Sequence, residues 1–172
     1  FSEFLPYIIA FLGIALIVFV FVLAFKIFIA NSFRVGCLRY YLNTSLGNAT
    51  LDDIIYAFTC KSYLKIVGTM FYKNVLIFLW TLLFIIPGVV MSYAYSMVPY
   101  ILSENPDIGY KKAIAMSKAM TMGYKGDLFV LQLSFIGWYL LGMLACCVGV
   151  LFVNPYSIAT YTQAYIFLKQ NA

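Results

Sequence analysis

"FIIPGVVMSY", residues 84–93, lies inside a stretch from Asn74 to Ser103 that carries no charged side chain. If Pro87-Gly88 kinks one helix, the chain emerges on the far side of a membrane. If the pair turns the chain round, both flanks return to one side. The choice fixes the topology of everything that follows.

A membrane is required by composition. Of the 172 residues, 65% are hydrophobic and 10% charged, with a mean hydropathy of +0.96, against about a quarter charged in soluble domains. Residues 1–30 hold only Glu3 and Lys26 as charged groups, and the apolar run between them exceeds the roughly 20 residues that cross a hydrocarbon core. That run is too long for a signal-peptide core, lacks a basic leader and ends at no small-residue cleavage site, so it reads as a permanent helix. The sequence opens at Phe1 rather than Met, so further residues are expected upstream.

Charge placement decides the turn. Arg34, Arg39, Lys61, Lys65 and Lys73 fall in segment 31–73, and Lys111, Lys112, Lys118 and Lys125 in segment 103–127: nine of the eleven Lys and Arg. Cation-rich loops stay in the cytoplasm. Both segments then share one side, and an even number of crossings separates them. Proline costs a helix interior about 3 kcal/mol, and glycine commonly ends a helix. The expected corner is therefore Pro87-Gly88, between a span at 63–86 and a short return helix at 89–103 of about 22 Å. Residues 128–151 form another uncharged run, broken at Asn154-Pro155 and followed by a return at 155–168. This predicts an all-α transmembrane bundle in one domain, 1–172, with about five membrane segments: 4–30, 63–86, 89–103, 128–151 and 155–168. Stretches 31–62 and 104–127, with the C-terminus, are expected to be cytoplasmic or interfacial.

The connecting segments carry helical periodicity. Thr50 precedes Leu51, Ile54, Ile55 and Phe58, with Asp52 and Asp53 in the first turn, the pattern of a capped amphipathic helix. Val35, Leu38 and Leu42 make a similar stripe. Both helices are expected along the membrane surface. In 105–127, Ala113, Met116 and Met120 form one stripe and Lys111, Lys118 and Lys125 another. Lys111, Lys112, Lys118 and Lys125 are candidates for anionic lipid headgroups, although orientation alone accounts for cations there. Nothing points to nucleic acid.

Polar groups inside the spans are the other candidates, because hydrocarbon penalises them: Lys26, Gln132, Gln163, Ser92, Ser96, Thr160, Thr162 and, on the return helix, Tyr95. Lys26 is close enough to Ala30 for its stem to reach the interface. Gln132 and Gln163 are expected to bond across the second hairpin. Gly142 with Cys146 and Ala145 with Gly149 are small-residue pairs that allow close helix approach. The tyrosines of the return helices, Tyr93, Tyr95, Tyr100, Tyr156, Tyr161 and Tyr165, suit either an interface or a polar cavity.

No catalytic, cofactor or metal constellation is present. The chain has no histidine, its four cysteines lack C-x-x-C spacing, and no G-x-S-x-G or P-loop occurs. These absences favour a non-enzymatic protein: an accessory or scaffold that binds lipid, another membrane protein or its own copies. The alternative is a small transporter or channel with its pathway between the return helices.

"YKNVLIFLWTLLFIIPGVVMSYAYSMVPYILSENPDIGYKKAIAMSKAMTMGYKGDLFVLQLSFIGWYLLG", followed by "LFVNPY", resembles the bacterial membrane family called domain of unknown function 975. "VGCLRYYL" and "LDDIIYAF" resemble its earlier blocks. Met91 stands where that family often has a basic residue, and Gly109-Tyr110 replaces a common Ser-Pro, so no role passes to a cation near the turn. The resemblance implies a polytopic protein of the cytoplasmic membrane, with a further helix upstream and no known activity.

Overall fold

The computed structural model describes residues 5–144 and 148–171, and all of its regular structure is helical. Helix α1 (Leu5–Phe25) passes through a π-helical turn (Lys26–Ala30) into α2 (Asn31–Ser45) with helical backbone throughout. The first helix thus does not stop near residue 30. The stripe of Val35, Leu38 and Leu42 is buried in the core rather than laid on the membrane surface, because α3, α4, α6 and α9 all pack against α2.

Helix α3 (Asp52–Thr59) starts where the Asp53 carboxylate accepts hydrogen bonds from the Thr50 N–H at 3.0 Å and the Thr50 hydroxyl at 3.3 Å. Such capping satisfies amides that a first turn leaves free. Asp53 and Ala57 face the protein, whereas Leu51, Ile55 and Phe58 point outward. The carboxylate also accepts from Arg39 Nε at 3.1 Å, while Arg39 Nη1 donates to the Ser103 carbonyl at 2.8 Å and the guanidinium covers the Tyr56 ring. Arg39 thereby ties α2, α3 and the end of α6 together. Burial pushes the Asp53 carboxyl up, but hydrogen bonds from Asn43, Thr50 and Arg39 outweigh it and hold the group below its ordinary value. The bridge is therefore fully charged at neutral pH.

The hairpin exists, and its corner differs from the expected one. Helix α4 (Tyr63–Leu83) ends one residue before an extended Phe84 (φ −155°, ψ 139°), and α5 (Ile85–Ala94) begins at once. Pro87 is the third residue of α5, the last position whose N–H would lack a partner in any case; the next amide, Gly88 N–H, donates to the Phe84 carbonyl at 3.2 Å. A proline costs nothing there. It starts the return helix instead of making the turn. Gly88 then lets the two arms touch, since a Cβ at that position would lie 2.7 Å from Thr81 Cα.

Because α5 starts four residues earlier than expected, the return arm is not short. A brief turn leads from α5 into α6 (Val98–Glu104), and the pair form a continuous path of 20 residues, Ile85–Glu104, about 30 Å long. No local thinning of a bilayer is needed. Helix α7 (Tyr110–Met120) follows Gly109 and is closed off by Gly123, both with positive φ. Lys125 therefore opens α8 (Lys125–Leu144) and does not continue the Lys111–Lys118 stripe. On α7, Ala113 and Met120 are buried while Met116 is partly exposed.

The second hairpin also turns elsewhere than expected. Helix α9 (Val148–Gln170) contains Pro155 in its interior, so Asn154-Pro155 is not the break. Around that proline, Ser157 Oγ donates to the Asn154 carbonyl at 2.8 Å, and the Tyr139 hydroxyl donates to Asn154 Oδ1 at 2.9 Å. Backbones of α8 and α9 meet at Gly142 and Gly149. Ala145 and Cys146, the other halves of the expected small-residue pairs, lie outside the described residues.

Among the described residues, four helices are long and apolar enough to cross a membrane: Ile9–Ser45, Tyr63–Leu83, Ile85–Glu104 and Lys125–Leu144. One end of the bundle gathers the charges. Lys65 Nζ pairs with Asp107 at 2.7 Å, Ser62 donates to the same carboxylate, and Glu104 holds Lys169 Nζ at 2.6 Å and the Tyr165 hydroxyl at 2.9 Å. The two cation-bearing segments meet there. Phe84 and the close approach of Gly142 to Gly149 lie at the opposite end.

Candidate functional site: a cation-lined cavity

A cavity of about 690 Å³ opens in the middle of the bundle, where α2, α4, α5, α8 and α9 diverge. Its size is within the roughly 300–1,000 Å³ of small-molecule sites. The walls are mixed. Leu38, Ile77, Phe135, Ile136 and Ile158 supply apolar surface; Arg34, Lys73, Gln132 and Asn154 supply polar groups, with hydroxyls from Ser92, Ser96, Tyr93, Tyr100, Tyr139 and Tyr161. Among the described residues, no carboxylate lines it.

Position along the helices explains this collection. Lys73 is the eleventh of the 21 residues of α4, about 15 Å along the axis from the first, and is only 8% exposed. Arg34 reaches the same space from α2. Lys73 makes no ion pair or hydrogen bond among the described residues. An ammonium taken from water without a partner costs several kcal/mol, and a lysine at the centre of a membrane helix about 2.5 to 3.5 kcal/mol. A second cation nearby adds repulsion.

Ser92 Oγ donates to the Val89 carbonyl and Ser96 Oγ to the Tyr93 carbonyl, each at 2.7 Å, so their protons are used within their own helix. The Tyr93 hydroxyl donates to Gln132 Oε1 at 2.7 Å, and Tyr139 to Asn154 Oδ1. Both amide oxygens are thus occupied, leaving the two amide NH₂ groups as donors without a protein partner among the described residues. The two cations and the two amide NH₂ groups are donors in the lining, while the hydroxyl oxygens of Ser92, Ser96 and Tyr93, having donated, can still accept.

Below the cavity, toward the charged end, the bundle is filled. Ile66, Met70, Ile101 and Leu102 are at most 1% exposed, and Tyr100 stacks on Tyr165 with ring centroids 5.2 Å apart. Those side chains belong to one packed core cluster.

Of the polar residues singled out in the sequence, Ser92, Ser96 and Gln132 come together at the cavity. Gln132 bonds across to Tyr93 of α5, not to Gln163, which is exposed on α9; the helical phase of α8 turns Gln132 toward the first hairpin. Tyr95 is buried away from the cavity, with Lys118 Nζ 5.6 Å from its ring centroid. Thr160 donates to the Tyr156 carbonyl of its own helix, and Thr162 to Ile158. Lys26 is exposed on the outside of the π-helical turn. Lys111, Lys112 and Lys118 are exposed on α7, with Lys125 half-buried at the start of α8. Arg34, Lys73, Asn154, Tyr93 and Tyr139 were not singled out as a group, yet they define the site. Among the described residues no three metal-ligating side chains gather.

No curated protein and no solved structure matches the chain. A family match does exist, and it runs over residues 1–172. The chain belongs to the family described as protein of unknown function DUF975.

Proposed function

We propose that this chain is a non-enzymatic protein of the bacterial cytoplasmic membrane that binds a lipid in the cavity between its helices and acts as an accessory or scaffold. The observation carrying this reading is the cavity itself, part apolar and part donor-lined, with packed side chains toward the charged end. A conducting pathway would need a continuous polar file, so the filled core favours a binding protein over a channel or carrier. In this proposal α9 is a fifth crossing and the charged end faces the cytoplasm, because cations concentrate there. Among the described residues no carboxylate or histidine stands at the cavity to act as a general base, which supports the non-enzymatic reading. The scaffold role draws on α1, whose apolar window is left entirely bare by the rest of the chain, free for lipid or a partner helix.

Mass spectrometry of the intact protein after gentle extraction in a neutral detergent tests the reading. The expected result is one retained lipid per chain, lost when Phe135 and Ile136 are both replaced by Asp at the cavity wall. A protein that emerges bare, and that carries solutes into liposomes, would instead be a transporter.

A further inference from the structure

We propose that Arg34 and Lys73 form a binding site for a phosphate monoester inside the cavity, the head of an anionic amphiphile. This rests on the lipid-binding reading and adds the chemistry of the head. Two cations face one space and, among the described residues, no carboxylate does. A phosphate monoester carries between one and two negative charges at neutral pH, which matches the pair. A guanidinium forks onto two phosphate oxygens and an ammonium serves as a point charge. The amides of Gln132 and Asn154, whose oxygens are already bonded to Tyr93 and Tyr139, supply further donors. A carboxylate would satisfy fewer of these groups, and a zwitterionic head would bring a third cation into a space that already holds two.

Depth gives the site a second property. Lys73 lies about 15 Å along α4 from the first residue of the helix, midway along a helix long and apolar enough to cross a membrane. A lipid held there has its head drawn in among the helices, with its chain against Phe135, Ile136 and Ile158. The same donors would also hold inorganic phosphate, so the head of a lipid and a free anion must be told apart by experiment.

Binding to the purified full chain in an uncharged detergent distinguishes them, with dioctanoyl phosphatidic acid, dioctanoyl phosphatidylcholine and inorganic phosphate as separate probes. Phosphatidic acid should bind well above phosphatidylcholine. Lys73→Met and Arg34→Gln should each weaken it about 10- to 100-fold, the usual effect of losing a charge-assisted hydrogen bond, while Lys73→Arg keeps most of the affinity. Affinity should also fall below about pH 6, as the monoester gains a proton. Inorganic phosphate binding as tightly as phosphatidic acid would support the same donors serving a free anion; binding of the lipid alone would assign the head of an amphiphile. Lys73→Met replaces a buried charge by an apolar chain of similar length, so monodispersity on gel filtration shows that it has folded. If folded Lys73→Met and Arg34→Gln bind phosphatidic acid like the wild type, or if phosphatidylcholine binds equally well, the assignment is wrong while lipid binding stands. If the wild type holds no lipid at all, both fall together.

Discussion

Gly36→Ala should leave little folded protein, although it adds one methyl group. A Cβ on Gly36 would point directly into the carbonyl of Ile54, with the carbonyl carbon 2.8 Å away. The obstacle is backbone on both sides, so no side chain can rotate out of the way. Helices α2 and α3 would have to separate, breaking the Arg39–Asp53 bridge and the Arg39 bond to the Ser103 carbonyl. Overpacking in a core costs about 1 to 3 kcal/mol when neighbours can shift; here the obstacle is backbone and a partly buried bridge is also at stake, so a loss at the upper end, about 3 kcal/mol, is expected. The fraction of protein that stays monodisperse after graded heating in detergent measures it. Alanine should collapse that fraction at temperatures the wild type survives.

Gly88→Val is the second. A valine Cβ would meet Thr81 Cα at 2.7 Å and Thr81 N at 2.9 Å, and its branches would enlarge the clash. The arms of the first hairpin could then close only by opening at Phe84. The change would also displace Ser92, Tyr93 and Ser96 relative to Lys73 and Ile77 across the cavity. Loss of about 3 kcal/mol is expected, together with loss of any lipid held in the cavity. Pro87→Ala should do far less, because position 87 needs no amide partner. A Gly88→Val protein as heat-resistant as the wild type would show that the arms do not touch there.

Much of this fold is legible in the amino-acid sequence, and the failures have identifiable causes. The doubling back between Lys73 and Lys111 follows from cation placement, and Lys65 indeed meets Asp107 at one end of the bundle. The corner lies elsewhere than Pro87-Gly88 because a proline that suggests a helix stop is, within a first turn, compatible with a helix start. Asn154-Pro155 shows the opposite: its residues suit a helix start, yet the pair is interior to α9. The stripe at Val35, Leu38 and Leu42 has a period that cannot say whether protein or lipid covers it, and only packing against α3 and α6 decides.

The site was harder to see. Lys73 was counted with the cations of a loop, although a span starting at Tyr63 necessarily encloses it. Treating the same residue as both loop charge and span interior was the missed signal. Arg34 gave no such signal, since nothing in the sequence places it opposite Lys73. That meeting depends on α2 continuing unbroken from the first helix. Gln132 was recognised as costly in hydrocarbon, but its partner depends on helical phase between α8 and α5, which distant sequence does not encode locally.

The central claim is that the chain doubles back at Phe84 and brings residues 46–62 and 105–124 to one aqueous side. Single cysteines at Asn48 and Lys112, both exposed, and at Ile86, 80% exposed beside the corner, test it in a chain whose four native cysteines are serine. With a membrane-impermeant thiol reagent applied to intact and to opened cells, Asn48→Cys and Lys112→Cys should label together from one side, and Ile86→Cys never from that side. Labelling of Asn48→Cys and Lys112→Cys from opposite sides would contradict the hairpin and remove the cavity with it.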